Sequence, residues 1–281
     1  MCPPDHFRVD YDINPWMADN LGSVNLARTQ NQWSELRDVI NQYADVIEME
    51  AADDVPDMVF TANAGAVYGN KAIASHFTPI ERRSEEKYFK KWFRQNGFEL
   101  FSLDETIRFE GAGDCLRDRS EPWLWTGYGF RTDIEAHQEI ERFFGLEVVS
   151  IKLVDPRFYH IDTCFCPLAN GFLMYYPAAF NKSSQLEIER RVAPEKRIIV
   201  DTLDATNFAC NAVNIGDAVI MNSVSGSLQD RLGLAGFAIH EVNLSEFIKA
   251  GGSAKCLTLK VTEPKISVGK KLHQITDSAL R

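Results

Sequence analysis

Residues 132–164 read TDIEAHQEIERFFGLEVVSIKLVDPRFYHIDTC, and this one stretch decides the fold. Its first part, TDIEAHQEIERFFG, has the spacing of an amphipathic helix. LEVVSIKL, which follows, is a strand-like run. FYHIDTC then gives a short apolar segment that ends in polar residues. The same order recurs along the chain. Helical stretches start near Ala27, Ile80, Thr132, Lys182 and Ser225, so successive starts differ by 53, 52, 50 and 43 residues. Each leads into a strand-like run: DVIEME, FELFSL, LEVVSIKL, KRIIVDTL and FAIHEVNL.

After each run comes a short segment that turns polar: MVFTAN, TIRFEGAGD, FYHIDTC, NFACNAV and GSAKCLTLKV. In four repeats a further strand or hairpin is expected, marked by turns such as Gly69-Asn70, Asn170-Gly171 and Gly216-Asp217. A helix with about three strands, repeated five times, implies small sheets arranged radially and closed into a ring. The equivalent strands then line a central channel. Asn63, Glu110, His160 with Asp162, Asn211 and Cys256 are expected to converge there.

FYHIDTCFCPL, residues 158–168, places His160, Asp162, Cys164 and Cys166 at every second residue. Read as a strand, it turns all four to one face. Same-face neighbours are then roughly 6.6 Å apart, whereas two thiolates on one tetrahedral zinc sit within about 4 Å of each other. No metal site is therefore expected. The spacing suits Asp162 and His160 bracketing a flat cation, one accepting hydrogen bonds and the other serving as acid or base. Cys164 and Cys166 are read as buried packing residues. Cys256, after the small-residue turn AGGSAK, is a candidate nucleophile paired with a distant His.

The bulk properties narrow the function. The chain has 281 residues, 45% hydrophobic and 25% charged, and a net charge of −10. That is an ordinary globular composition, expected to form a single catalytic domain over 1–281. The acidic balance argues against a nucleic-acid partner, which draws on clustered Lys and Arg. The first residues show no basic segment followed by an apolar core, and no apolar run is long enough to span a bilayer. A cytoplasmic protein without a membrane partner is expected, its six cysteines free thiols. Self-association is left open.

FTAN, FEGAGD, HIDT and a late Cys after a Gly-rich turn together resemble the guanidine-modifying enzymes of the pentein superfamily. These include arginine deiminases, dimethylarginine dimethylaminohydrolases and amidinotransferases. MCPPDHFRVDYDINPWM and VFTANAG are similar, more narrowly, to the bacterial arginine dihydrolases, which convert arginine to ornithine, ammonia and carbon dioxide. The resemblance runs from Met1 to about Val261. It implies a five-bladed α/β propeller, in agreement with the repeat. It implies no cofactor, and as partner a small molecule, L-arginine or a close guanidino compound.

By the same resemblance, Cys256 attacks the guanidinium carbon and forms a covalent thiouronium. His160 protonates the departing ammonia and later deprotonates water. Glu110 and Asp162 hold the guanidinium nitrogens. Arg131, in TGYGFRTD, binds the substrate carboxylate, Arg82 assists, and Asn14 in INPWM lines the pocket. Deiminases place an Asp where this chain has Asn63. An ionised Asp only accepts hydrogen bonds, whereas an Asn both donates and accepts and can hold a neutral ureido product for a second attack. That departure points to the dihydrolase. Larger dihydrolases carry a second, C-terminal domain, which a chain ending at Arg281 is expected to lack. The alternatives are a deiminase or dimethylarginine hydrolase that stops at citrulline, an amidinotransferase, and a non-catalytic binder of arginine-like cations.

Overall fold

A computed structural model describes residues 1–262 of the chain; the part of the expected domain from 263 onward lies outside the described residues. Helix α1 (Leu26–Ile40) comes first. Four units then follow with the same order of strand, strand, helix, strand. The first is β1 (Gly65–Tyr68), β2 (Lys71–Ala74), α2 (Glu86–Gln95) and β3 (Glu99–Ser102). The second is β4 (Cys115–Arg117), β5 (Trp123–Tyr128), α3 (Glu135–Phe144) and β6 (Glu147–Lys152). The third is β7 (Phe165–Pro167), β8 (Leu173–Tyr175), α4 (Lys182–Arg191) and β9 (Arg197–Ile199), followed by the short α5 (Thr202–Thr206). The fourth is β10 (Val213–Ile215), β11 (Ala218–Met221), α6 (Gly226–Leu234) and β12 (Ala238–Glu241), and α7 (Ser245–Ile248) comes last.

In every unit the first two strands pair antiparallel and the third joins the second in parallel, as in Gly65 opposite Ala74 and Lys71 beside Glu99. A parallel neighbour cannot be reached by a hairpin, so the helix supplies the crossover. The hairpin turns lie at the expected positions, with Gly69, Asn170 and Gly216 at φ near +60°. Left-handed backbone of this kind is tolerated by Gly and Asn. Helix α3 buries Ala136, Ile140 and Phe144 at intervals of four and ends at Gly145, φ 70°, whose N–H reaches Glu141 O. A C-terminal glycine satisfies an orphan carbonyl there.

The first repeat, which begins with α1, differs from expectation. DVIEME forms no strand: Met1 O accepts from Met49 N, and Ile47 O accepts from the N-terminal ammonium. Two hydrogen bonds to the chain's own start do not make a ladder. The described residues accordingly hold four three-stranded sheets, and the fifth position is filled by α1 and irregular backbone.

Five turns nevertheless meet around the axis. One-turn 3₁₀ helices cover Thr61–Ala64, Gly111–Gly113 and Ile161–Thr163, and turns at 207–210 and 254–257 complete the set. Hydrogen bonds run from each turn to the next: Asn63 Nδ2 to Glu110 O, Ile161 N to Asp114 Oδ1, Asn211 Nδ2 to Asp162 O, Lys255 N to Asn211 O and Ala62 N to Cys256 O. The circle closes. Outside it, α1 ties the two ends of the described chain together through Asn25 N and Arg28 on Glu246, and Gln32 on Asn243 and Ser245. Among the described residues no helix is long and apolar enough to cross a membrane.

Candidate active site

Cys256 is buried beside Asp162, with its Sγ 3.6 Å from Asp162 Oδ2. Asn211 grips the same residue twice, its Nδ2 donating to Sγ at 3.1 Å and its Oδ1 accepting from Cys256 N at 3.1 Å. Burial, and after it the charge of Asp162, push the thiol far above its usual range. Lys255 and Asn211 pull the other way without offsetting this. Burial also pushes the Asp162 carboxyl up, against Lys255 and His160. Without a ligand, Cys256 is therefore a neutral thiol, and a cation set between sulfur and carboxylate would favour the ionised form of both.

His160 precedes its 3₁₀ turn and Glu110 precedes the one before, fifty residues earlier in the sequence. That shared position brings them together: His160 Nε2 and Glu110 Oε2 are 2.8 Å apart. Arg131 Nη1 donates to the same oxygen at 3.0 Å, and Thr78 N occupies Oε1. Burial alone would raise the Glu110 carboxyl, but Arg131 and His160 outweigh it and hold it at about 2. Arg131 lies over the Tyr159 ring and donates to Ile13 O at 2.7 Å. Beneath the pair, Asp114 accepts from Thr132 Oγ1 and Ile161 N, fixing the turn that carries His160. Burial lifts the Asp114 carboxyl to about 6.

Asn63 lies across from these groups. Its Oδ1 accepts from Arg82 Nη1 at 2.9 Å and its Nδ2 donates to Glu110 O at 3.2 Å. Arg82 is itself held by Glu85 through two parallel bonds of 2.8 Å. Nearby, Asp57 accepts from Tyr11 Oη with one carboxylate oxygen, while its buried Oδ1 has no hydrogen-bond partner among the described residues. Asn14, Asp57, Asn63, Arg82, Arg131 and Cys256 line one small cavity.

The residues singled out from the sequence are thus placed as follows. Asn63, Arg82, Arg131, Asn14 and Cys256 line the cavity, and His160, Glu110 and Asp162 back it. Arg82 and Arg131 are both buried. Asn14 serves the turn and lines the pocket at once, for its side chain accepts from Trp16 N and donates to Ala250 O. The strand reading of 158–168 is corrected. Only Phe165–Pro167 is strand, while Ile161–Thr163 forms the 3₁₀ turn. The spacing argument about a shared metal loses its premise with that. Among the described residues there is no group of three or more His, Cys, Asp or Glu side chains that could bind a metal ion. Cys164 and Cys166 are buried in the core.

Two residues escaped the sequence reading. Asp114 ends the quoted FEGAGD, and Asp57 lies six residues before Asn63, both without a signal that separates them from ordinary turn carboxylates. Asn211 was expected at the channel from its shared phase with the other turn residues, but without a role.

A family model for eukaryotic N,N dimethylarginine dimethylhydrolases matches residues 15–263. A bifunctional arginine dihydrolase/ornithine cyclodeaminase of Synechocystis sp. is 54% identical over 264 residues, covering 94% of this chain and 37% of that protein. Its counterpart in Nostoc sp. is 52% identical, covering 94% and 38%. The chain therefore spans less than two-fifths of the length of these relatives. The crystal structure of the N-terminal domain of a cyanobacterial arginine dihydrolase, a cysteine-to-serine variant bound to substrate, matches with a TM-score of 0.93 at 54% identity, covering 94% of this chain and 97% of that one.

Proposed function

The chain belongs to the family of N,N dimethylarginine dimethylhydrolases, within the guanidine-modifying pentein superfamily, and from that premise we propose that it hydrolyses free L-arginine to ornithine, two ammonia and carbon dioxide, consuming two waters. One observation carries the reading: Cys256 and Asn63 line the same cavity as Arg131, so a nucleophile, a neutral donor and a carboxylate anchor surround one substrate.

The substrate guanidinium lies against Asp162, and its charge favours transfer of the Cys256 proton to His160. The thiolate attacks the guanidinium carbon, His160 gives a proton to the departing amine, and ammonia leaves a thiouronium on the sulfur. Water, deprotonated by His160, then attacks the same carbon and the C–S bond breaks, giving citrulline and the free thiol. Glu110, kept ionised by Arg131, holds the imidazole in place through both steps. In the second round, loss of ammonia from the ureido group leaves a thiocarbamate. Its hydrolysis releases the carbamate of ornithine, which falls apart to ornithine and carbon dioxide.

Arg131 anchors the substrate carboxylate, and the orphan oxygen of Asp57 meets the α-ammonium. Arg131→Ala should erase the preference for arginine over agmatine, which lacks the carboxylate. A bidentate contact of this type contributes roughly 2–3 kcal/mol, tens- to a hundredfold in kcat/KM. Because Arg131 also holds Glu110, kcat should fall for both substrates, so the ratio between them is the measurement that decides. An unchanged ratio moves the carboxylate contact elsewhere.

The proposal is tested by product analysis. The wild type should release ornithine and only traces of citrulline. Asn63→Asp should still consume arginine but release citrulline, because an ionised Asp sets a lone pair against the new carbonyl oxygen. Such a mismatch costs about 1–3 kcal/mol and slows the second round ten- to a hundredfold. Citrulline as the wild-type product, unaltered by the substitution, would make this a one-step hydrolase, in keeping with the description of the matching family model.

A further inference from the structure

Asn63 can help the second round only if its N–H, and not its carbonyl, is offered to the ureido oxygen. A carboxamide has two orientations that differ by a half-turn and occupy the same space. Its neighbours decide between them. Oδ1 accepts from Arg82 Nη1 at 2.9 Å, and one hydrogen of Nδ2 goes to Glu110 O at 3.2 Å. Turned over, the amide would face donor to donor at Arg82 and acceptor to acceptor at Glu110 O. The observed orientation leaves the second Nδ2 hydrogen for a ligand.

Arg82 can enforce this only while it is held still. Its Nε and Nη2 both donate to Glu85 at 2.8 Å, Nη2 also reaches Asp57 O at 3.2 Å, and the guanidinium stacks over the Phe77 ring at 4.6 Å. The 3₁₀ segment Ile80–Glu85 supplies the pairing, because side chains three apart eclipse in that helix. Glu85 is wholly buried and does not line the cavity.

We propose that Glu85 is a positioning residue for product choice, acting through Arg82 to hold Asn63 as a donor for the second hydrolysis. The proposal rests on the two-round reading above. Replacing the carboxylate with a carboxamide sets an N–H against Arg82 Nη2, releases one of the two tethers and frees the guanidinium to turn. The hold on Asn63 Oδ1 goes with it.

The experiment measures ornithine and citrulline from L-arginine for the wild type, Glu85→Gln, Glu85→Asp, Asn63→Asp and the double variant Glu85→Gln/Asn63→Asp, with circular dichroism to report folding. Glu85→Gln should lower the ornithine-to-citrulline ratio about tenfold, the scale of one misdirected buried hydrogen bond. Arginine consumption should change less than the ratio does. Glu85→Asp, which keeps the charge, should restore part of the ratio. In the Asn63→Asp background, Glu85→Gln should leave the ratio where Asn63→Asp put it, since no donor remains to be misdirected. A general structural defect would lower consumption without moving the ratio and would add to Asn63→Asp, and either outcome overturns the proposal. Should Glu85→Gln fail to fold, Glu85→Asp alone decides, and a wild-type ratio there overturns it. A wild type that yields ornithine beside variants of unchanged ratio refutes the relay and leaves the two-round reading standing. A wild type that yields only citrulline refutes both.

Discussion

Cys256→Ser should lower kcat by at least about three orders of magnitude, because the nucleophile it removes is the one group that can form the covalent intermediate. The fold should be kept. Sγ sits between Asn211 Nδ2 at 3.1 Å and Asp162 Oδ2 at 3.6 Å, and a hydroxyl can accept from the first and donate to the second. A swap that conserves volume in a packed site usually costs less than about 1.5 kcal/mol. The loss is therefore chemical. In the unliganded protein, burial and Asp162 already hold the thiol neutral, so the bound cation must shift the proton equilibrium. For a thiol that shift is attainable; for a hydroxyl, whose ordinary pKa is several units higher, it is not. Substrate should still bind to the serine variant, with an affinity measurable by calorimetry. Mass spectrometry of wild type quenched in turnover should find the adduct on Cys256 and none on Cys164. Retention of more than a tenth of kcat by the variant would remove Cys256 from the mechanism.

The fold was legible because the local signals agreed with one another. Asn25, Asn181 and Ser225 each cap a helix with their side chains, and three of the expected starts fall within one residue of those helices. Near Ile80 the agreement was looser, since Ile80–Glu85 is 3₁₀ before α2 begins. There the inward pairing of Arg82 with Glu85 prevails over the amphipathic pattern. The strand reading of 158–168 failed for a physical reason. A polar residue at every second position describes a strand face, but His160 before a one-turn helix and Asp162 within it give the same spacing in sequence. Only the ring of turns distinguishes the two. Asn211 stayed without a role for a related reason: its work is done on the backbone of Cys256, forty-five residues away, and no spacing along the chain reports that contact.

Gly113→Ala should lower kcat about a hundredfold although no functional group is changed. A Cβ at this position would lie 2.5 Å from Asn63 Nδ2 and 3.1 Å from both Cγ and Nδ1 of His160. Carbon and nitrogen that are not hydrogen-bonded do not approach so closely, so at least one of the two side chains must retreat by roughly an ångström, a displacement that can cost a hundredfold in rate. Neither has room to retreat without loss. Asn63 would give up its bond to Glu110 O, and His160 would strain the contact with Glu110 Oε2 that orients its ring. Overpacking of this type also costs about 1–3 kcal/mol of stability, so unfolding and activity must be measured on the same preparation. Gly226→Ala is the matched control, since a Cβ there meets nothing within 4 Å, and it should leave kcat as it is. The direction of the retreat can be read from the products. If Asn63 moves, citrulline accumulates as it does for Asn63→Asp; if His160 moves, both rounds slow together and the product ratio holds. A folded Gly113→Ala enzyme with wild-type kcat and wild-type products would mean that the close approach of Asn63 and His160 to Gly113 is not what sets the geometry of the site.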